Sequence, residues 1–373
     1  MAGLLLLCEY GTLGGEEQSM LSTLAGVEKA GLAPAVAAPP QGPLAEILHA
    51  RGVEAISFDF CDRDRNRLRQ GQLREKLAGL LRRRRPDLLH ANSLSMGRLS
   101  GPVAAELGVP SLAHLRDIVK ISRRAINDLN RHRRLLAVSE ATRTFHVGEG
   151  LSAEKTHVLL NGVDLGKFRP RPATGYLHHE LGIPAAAPLI GNIGQIGLRK
   201  AQDILANAAV VVAKGFPDVH YIFVGERFSE KDESRRFESD LRAAATGALA
   251  GRFHFLGFRN DVDKLLNEMT LLAHTARQEP LGRVLLESAA SGVAVIATDV
   301  GGTREIFPPA AESARLVPPD DPETLAAAIA DLLGNGPQRT RLGDAARRRA
   351  EEAFPVQRAV AGLVEHYWDV SRA

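Results

Sequence analysis

The stretch Glu279-Pro280-Leu281-Gly282-Arg283-Val284-Leu285-Leu286-Glu287 decides how this chain reads. It sets two carboxylates eight residues apart, with a Pro and a Gly after the first and a helical pattern, Gly282 to Ser291, running through the second. An expected strand, Val293 to Thr298, and the glycine turn Gly301-Gly302 follow. Carboxylates accept hydrogen bonds from hydroxyl groups, while the free N–H groups at a helix start bind anions. Together they suit a ligand with both hydroxyls and phosphate. In isolation the same residues describe an amphipathic helix with Leu285 and Leu286 inward and Glu287 outward. The setting, from Pro280-Leu281-Gly282 to Asp299-Val300-Gly301-Gly302-Thr303-Arg304-Glu305, favours the ligand reading.

Around this stretch the chain alternates short apolar runs with helical patterns. A first series of expected strands comprises 4–8, 33–38, 55–58, 87–90, 111–115 and 135–138. A second comprises 188–191, 220–224, 254–256, 271–273, 294–297 and 314–316. Such alternation predicts α/β architecture, with parallel sheets covered by helices on both faces. At 373 residues the chain exceeds one ordinary core, which predicts two domains. Phe168-Arg169-Pro170-Arg171-Pro172-Ala173-Thr174-Gly175 reads as the linker, so the expected domains are 1–168 and 176–352. Residues 353–373 form one more amphipathic helix, whose pattern does not say which domain it joins. Open α/β sheets bind ligands beyond the carboxyl ends of their strands, so both sites are expected to face a central cleft.

Composition excludes several classes. At 45% apolar and 24% charged residues the chain is an ordinary globular protein. No apolar run is long enough to span a bilayer. Met1 to Cys8 lacks a basic leader, and Glu9 ends its apolar run early, so a buried first strand is expected. Two cysteines, Cys8 and Cys61, make no disulfide framework and fit a reducing cytoplasm. Residues 1–165 hold 22 basic and 18 acidic residues, and the remainder 25 and 26, so the positive excess lies in the first half. It gathers in Arg82 to Arg85 and in Lys120, Arg123, Arg124, Arg131, Arg133 and Arg134. These runs read as solvated helix faces, or as a peripheral contact with anionic lipid on the inner face of a membrane. Aromatics are only 5% and do not interleave with the basic residues, which argues against nucleic acid.

Three further segments carry candidate chemistry. Gly14-Gly15 precedes a helix and reads as a tight turn or as a close approach for a ligand. His114-Leu115-Arg116-Asp117 lies at a strand end, where catalytic groups sit in this architecture; His90, before Asn92-Ser93, has a comparable place. Gly194, with Arg199-Lys200 close behind, reads as surface cations on a βα turn or as a diphosphate cradle. The glycines do not follow G-x-G-x-x-G and no ribose-binding acid follows at the expected distance, which disfavours a dinucleotide dehydrogenase. No metal-ligand spacing stands out, so neither a metal nor another cofactor is expected.

In this order, Gly14-Gly15, His114 with Asp117, Val138-Ser139-Glu140, Asn161-Gly162-Val163-Asp164 with Phe168, Gly194 with Arg199-Lys200, Leu256-Gly257, Glu279 to Glu287 and Gly301-Gly302 with Glu305 resemble the retaining glycosyltransferases of family 4. The resemblance covers nearly the whole chain. It implies the GT-B fold, two Rossmann-like domains with parallel sheets facing a central cleft, and a C-terminal helix crossing back to the first domain. It implies transfer of a hexose or N-acetylhexosamine from a nucleotide diphosphate sugar, UDP before GDP, to a glycan, lipid-linked or small-molecule acceptor. By that likeness His114, Arg199, Lys200 and Glu279 are the catalytic group. Gly14, Gly15, Gly194, Arg199, Lys200, Glu279, Leu281, Gly282 and Glu287 bind the donor, with Glu279 on the sugar and Glu287 on the ribose. Gly15, Glu17, Arg116 and Asp117 meet the acceptor. The chain departs from the family pattern at Ala201, where Gly is frequent; at His274-Thr275, where Pro-Ser is frequent; and at Leu281, where Phe is frequent. Alternatives within the same fold are a nucleotide-sugar epimerase, a sugar-phosphate synthase and a non-catalytic nucleotide binder.

Overall fold

The structure, a computed structural model, describes residues 1–62, 64, 66–246 and 249–372. The chain forms two compact units, one of Met1–Gly162 with Val356–Ala373 and one of Val163–Pro355. Ala373 itself lies outside the described residues.

In the first unit the strands are β1 (Ala2–Leu7), β2 (Leu32–Ala38), β3 (Glu54–Ser57), β4 (Leu88–Ala91), β5 (Ser111–Leu115), β6 (Arg134–Ala137) and β7 (Thr156–Val158). They make one parallel sheet in the order β3-β2-β1-β4-β5-β6-β7. Leu4 to Leu7 of β1 are buried on both faces, which is why this strand reads as an unbroken apolar run. The short edge strand β7 carries no period of its own and was not among the expected strands. The terminal helix Val356–Arg372 sends Leu363, Tyr367 and Val370 into the core against Leu4, Leu6 and Val36. It lies against the helix Gly15–Lys29 at Gly26, where a Cβ would come within 2.6 Å of Val360.

The second unit holds β8 (Leu189–Ile193), β9 (His220–Val224), β10 (Phe253–Phe255), β11 (Leu271–His274), β12 (Val295–Thr298) and β13 (Arg315–Val317). Their order is β10-β9-β8-β11-β12-β13, again parallel throughout. All six lie within a few residues of the expected strands. The unit begins at Val163, ahead of the proline-rich stretch expected as a linker. That stretch is tied down: the backbone N–H and hydroxyl of Thr174 donate to Oε1 of Glu268 at 2.7 and 2.8 Å, and the N–H of Gly175 donates to Oε2 at 2.9 Å. Buried Glu268 thus makes the segment part of a folded surface.

Each sheet reverses its strand order once, between β1 and β4 and between β8 and β11. Loops leaving the two strands at such a reversal run apart and open a crevice, where ligands of this architecture bind. Among the described residues, no helix is long and apolar enough to cross a membrane.

Candidate functional site

In the second unit the residues singled out from sequence gather where β8 and β11 end. Glycine governs the first loop. A Cβ at Gly225 would lie 2.1 Å from the carbonyl oxygen of Gly194, so the turns after β8 and β9 touch only because Gly225 has none. Arg199 and Lys200 occupy the turn before the helix Gln202–Val212. Between turn and helix stands Ala201, fully buried and left-handed at φ 51°. The Thr275 hydroxyl lies 3.0 Å from the carbonyl oxygen of Lys200 and 2.8 Å from that of Ala201, and so pins this bend from the neighbouring loop.

The ammonium of Lys200 meets Oε2 of Glu279, and Nε2 of His274, the last residue of β11, lies 2.8 Å from the same oxygen. Burial by itself would push the Glu279 carboxyl up; the ammonium and imidazole beside it hold it well below the usual carboxylate range. His274 is driven the other way by burial and by Lys200, so it stands neutral and donates its Nε2–H. The site therefore offers a fixed anion and a fixed cation side by side, both mostly withdrawn from water. The backbone of Glu279 is fixed too, since its carbonyl oxygen accepts the N–H of Gly302 at 2.9 Å. Gly282 adopts φ 100°, and a Cβ there would come within 2.7 Å of Leu285 Cδ1 and 3.3 Å of Glu279 Cγ. The first N–H groups of the helix Arg283–Ala290 follow at once. Leu281 is buried. Glu287 lies one turn and more along that helix, buried, with Arg283 Nε 2.7 Å from its Oε1; burial raises its carboxyl and Arg283 opposes the rise. The structure thus brings Gly194, Arg199, Lys200, Glu279, Leu281 and Gly282 to one pair of strand ends, with Glu287 on the adjoining helix.

Sequence reasoning noted His274 only as a departure from the family pattern, and Arg283 not at all. A histidine directly after an apolar strand and an Arg–Glu pair at i, i+4 were the available signals.

In the first unit Gly14 caps the helix Gly15–Lys29, and its N–H donates to Oε2 of Glu17 at 3.0 Å. Glu17, expected at the acceptor, is buried and spends an oxygen on this cap. Its neighbour Glu16 was not singled out. Burial, then the nearby Asp117 carboxylate, push Glu16 up to about 8. His114, on β5, is buried and bonded to His90 and Arg116. The Arg116 guanidinium donates to the carbonyl and side-chain oxygens of Asn92, at 2.9 and 3.0 Å, and to Oδ1 of Asn161 at 3.2 Å. A small cavity is lined by His90, Asn92, His114, Arg116, Asn161 and Gly162 among others. The Asp117 carbonyl accepts from Nε2 of buried His146 at 2.7 Å.

Some motifs behind the resemblance prove to be braces. Ser139 caps the helix Glu140–Gly148 by accepting the N–H of Thr142 at 3.0 Å, and Asp164 accepts the N–H groups of Gly166 and Lys167. Among the described residues, no group of three or more His, Cys, Asp or Glu side chains is placed to hold a metal ion.

Residues 13–167 match the model of Glycosyltransferase Family 4, and residues 177–349 match that of Glycosyl transferases group 1. Spore coat protein SA of Bacillus subtilis is 28% identical over 223 residues, covering 57% of this chain and 58% of its own length. The lipopolysaccharide core biosynthesis mannosyltransferase LpsB of Rhizobium meliloti is 26% identical over 213 residues, 56% of this chain and 60% of its own. The matched region thus spans less than two thirds of either relative. Among solved structures, Anabaena HepE in complex with UDP-glucose superposes with a TM-score of 0.88 at 25% identity, over 99% of this chain and 100% of that one.

Proposed function

The chain carries both domains of a GT-B glycosyltransferase of the family 4 type, and from that premise we propose that it moves a hexose or N-acetylhexosamine from a nucleotide diphosphate to an acceptor with retention of configuration. The observation that carries this reading is the buried Lys200–Glu279–His274 cluster at the reversal point of the second sheet. As the glycosidic bond to the nucleotide breaks, negative charge gathers on the diphosphate and positive charge on the departing sugar. Lys200, Arg199 and the helix start after Gly282 stabilise the first, acting as preorganised donors. Glu279, kept ionised, accepts hydroxyl bonds from the sugar, and Glu287 accepts those of the ribose. His114 meets the sugar during transfer, and Gly15, Glu17, Arg116 and Asp117 meet the acceptor.

Glu279 and Glu287 grip different parts of one donor, so they are not the paired acids that flank a bond in glycoside hydrolysis. Retention then rests on same-face attack assisted by the leaving phosphate, with no protein nucleophile and no metal. Two donor bases have support: HepE was crystallised with UDP-glucose, and a Mycobacterium tuberculosis relative, 28% identical over 278 residues, is named a GDP-mannose-dependent alpha-mannosyltransferase. We take UDP first and GDP second. The acceptor is a glycan, a lipid-linked sugar or a small molecule. Exposed Arg82 to Arg85, at the end of the helix Gln70–Arg84, would hold the enzyme peripherally on an anionic inner membrane face from the cytoplasm.

A hydrolysis panel over UDP-, GDP- and ADP-sugars tests the reading without knowledge of the acceptor. Glu279→Ala and Lys200→Ala should each lose at least about 100-fold in turnover of the preferred donor, with circular dichroism unchanged. Full turnover by both variants sinks the assignment.

A further inference from the structure

We infer that Tyr367, on the terminal helix, and His90, on β4, are positioning residues that hold the proton of His114 on its Nε2, so that this ring reaches the sugar as a hydrogen-bond donor. The inference rests on the reading of His114 as the group that meets the transferred sugar.

The argument starts from a group that can only donate. The Arg116 guanidinium has no acceptor, and its Nη2 stands 3.3 Å from Nδ1 of His114. A neutral imidazole has one N–H, so Nδ1 carries the lone pair and Nε2 carries the proton. Nε2 of His90 lies 2.7 Å from that same Nδ1. His90 must therefore donate from Nε2, which leaves its Nδ1 as an acceptor. The Tyr367 hydroxyl lies 2.6 Å from that Nδ1 and supplies the matching donor. Proton direction thus runs one way along the chain, from phenol to His90 to His114. Arg116 sets that direction, and the Tyr367 hydroxyl, free to donate or accept, completes it by donating to His90.

The surroundings keep each member in the required form. Burial, then the Arg116 charge, hold both imidazoles well below their ordinary value, so both stay neutral. Burial pushes the Tyr367 phenol up, so it keeps its proton. Arg116 is itself oriented by Asn92 and Asn161, which fixes the direction of its Nη2. The rings have little freedom: His90 lies 4.8 Å from His114 and 5.6 Å from Tyr367, centroid to centroid, the latter pair edge-on.

The chemistry explains why such an arrangement matters. An Nε2–H can donate to a sugar oxygen, whereas the other tautomer would present a lone pair to the same atom. A misplaced imidazole proton disables an otherwise intact site, as triad enzymes illustrate. His90 and Tyr367 are 277 residues apart in sequence, so no local pattern announces the pair.

The test uses full-length chain labelled with nitrogen-15 at histidine. Two-bond proton–nitrogen spectra at pH 7 report the tautomer, with His114→Gln and His90→Gln supplying the assignments. Turnover of UDP-glucose is measured in parallel. Wild type should show both rings neutral and protonated on Nε2. Tyr367→Phe should bring in Nδ1–H forms of the pair and lower kcat about 10- to 100-fold, with KM within about twofold. His90→Gln, whose amide donates without tautomerising, should keep most of kcat. Adding Tyr367→Phe to it should then change little, whereas two unrelated sites would add their effects.

A wild-type His114 protonated on Nδ1 or charged overturns the proposal. So does a Tyr367→Phe chain with unchanged tautomers and kcat, or one that loses kcat equally in both backgrounds. A wild-type chain inert toward every nucleotide sugar overturns the transfer reading, while the spectra still decide where the proton sits.

Discussion

Nε2 of His274 lies 2.8 Å from Oε2 of Glu279, and the Lys200 ammonium meets that same oxygen. Two donors therefore converge on one atom of a carboxylate that burial alone would drive toward the neutral acid. Dependence within the pair is unequal, because the Lys200 side chain is 14% exposed and that of Glu279 6%. Lys200→Met leaves a buried anion without its cation, though still bonded to His274; Glu279→Gln leaves a cation that lies closer to water. We predict losses of about 3 kcal/mol for the first and about 1 kcal/mol for the second in urea unfolding at pH 7. Equal losses would contradict the asymmetry.

Ala201 holds a left-handed conformation at a position where glycine is frequent in the family it resembles. Relief of that strain by Ala201→Gly contributes about 1 to 2 kcal/mol. The lost methyl contact costs about 0.8 kcal/mol, and the freer unfolded chain about as much again. The two sides nearly cancel, so thermal unfolding should place Ala201→Gly within about 1 kcal/mol of wild type. Ala201→Val adds branched bulk at a fully buried positive φ and should cost about 2 kcal/mol or more. A tolerated valine would mean that the bend before the helix is soft.

Acid should weaken the fold from about pH 6.5 downward. Buried His90, His114, His132 and His274 are all pushed below their ordinary value of 6.5, His132 to about 4. Each binds its proton more readily in the unfolded chain than in the folded one. Their stabilisation is therefore complete above pH 6.5 and is lost as pH falls toward 4. Glu16 works in the opposite sense: raised to about 8, it favours the folded chain while protonated and loses that advantage as pH rises from 4.5. Urea midpoints should fall between pH 6.5 and 4.5, and Glu16→Gln should gain more over wild type at pH 8.5 than at pH 5. A flat profile, or a gain independent of pH, would contradict these assignments.

The doubly wound alternation was legible because parallel strands buried on both faces leave unbroken apolar runs between helical patterns. The strand β7 was not, since three residues carry no period. Lys200 and Glu279 could be nominated from their motifs, 79 residues apart; that the Lys200 ammonium and the His274 imidazole converge on one Glu279 oxygen could not. Glu17 is named by the resemblance to the family; that one of its oxygens also accepts the N–H of Gly14 at its own helix cap is seen only once the helix start is placed. In the proline-rich stretch the composition reads as a linker, while the bonds of Thr174 and Gly175 to Glu268, far along the chain, have no local signal.

The terminal helix has a consequence for biosynthesis. Val163 donates its N–H to the carbonyl oxygen of Phe354 at 2.8 Å, so the second unit begins and ends at neighbouring points, as an inserted domain does. A ribosome finishes that insertion before it delivers Leu363, Tyr367 and Val370, which close the core of the first unit. The usual amino-to-carboxyl order of domain maturation is then inverted, and the half begun first is the half completed last. His90 and His114 are translated early but wait for the last turns of helix to receive their phenol. A prematurely released chain would own a complete second unit and a His90–His114 pair still lacking its phenol partner.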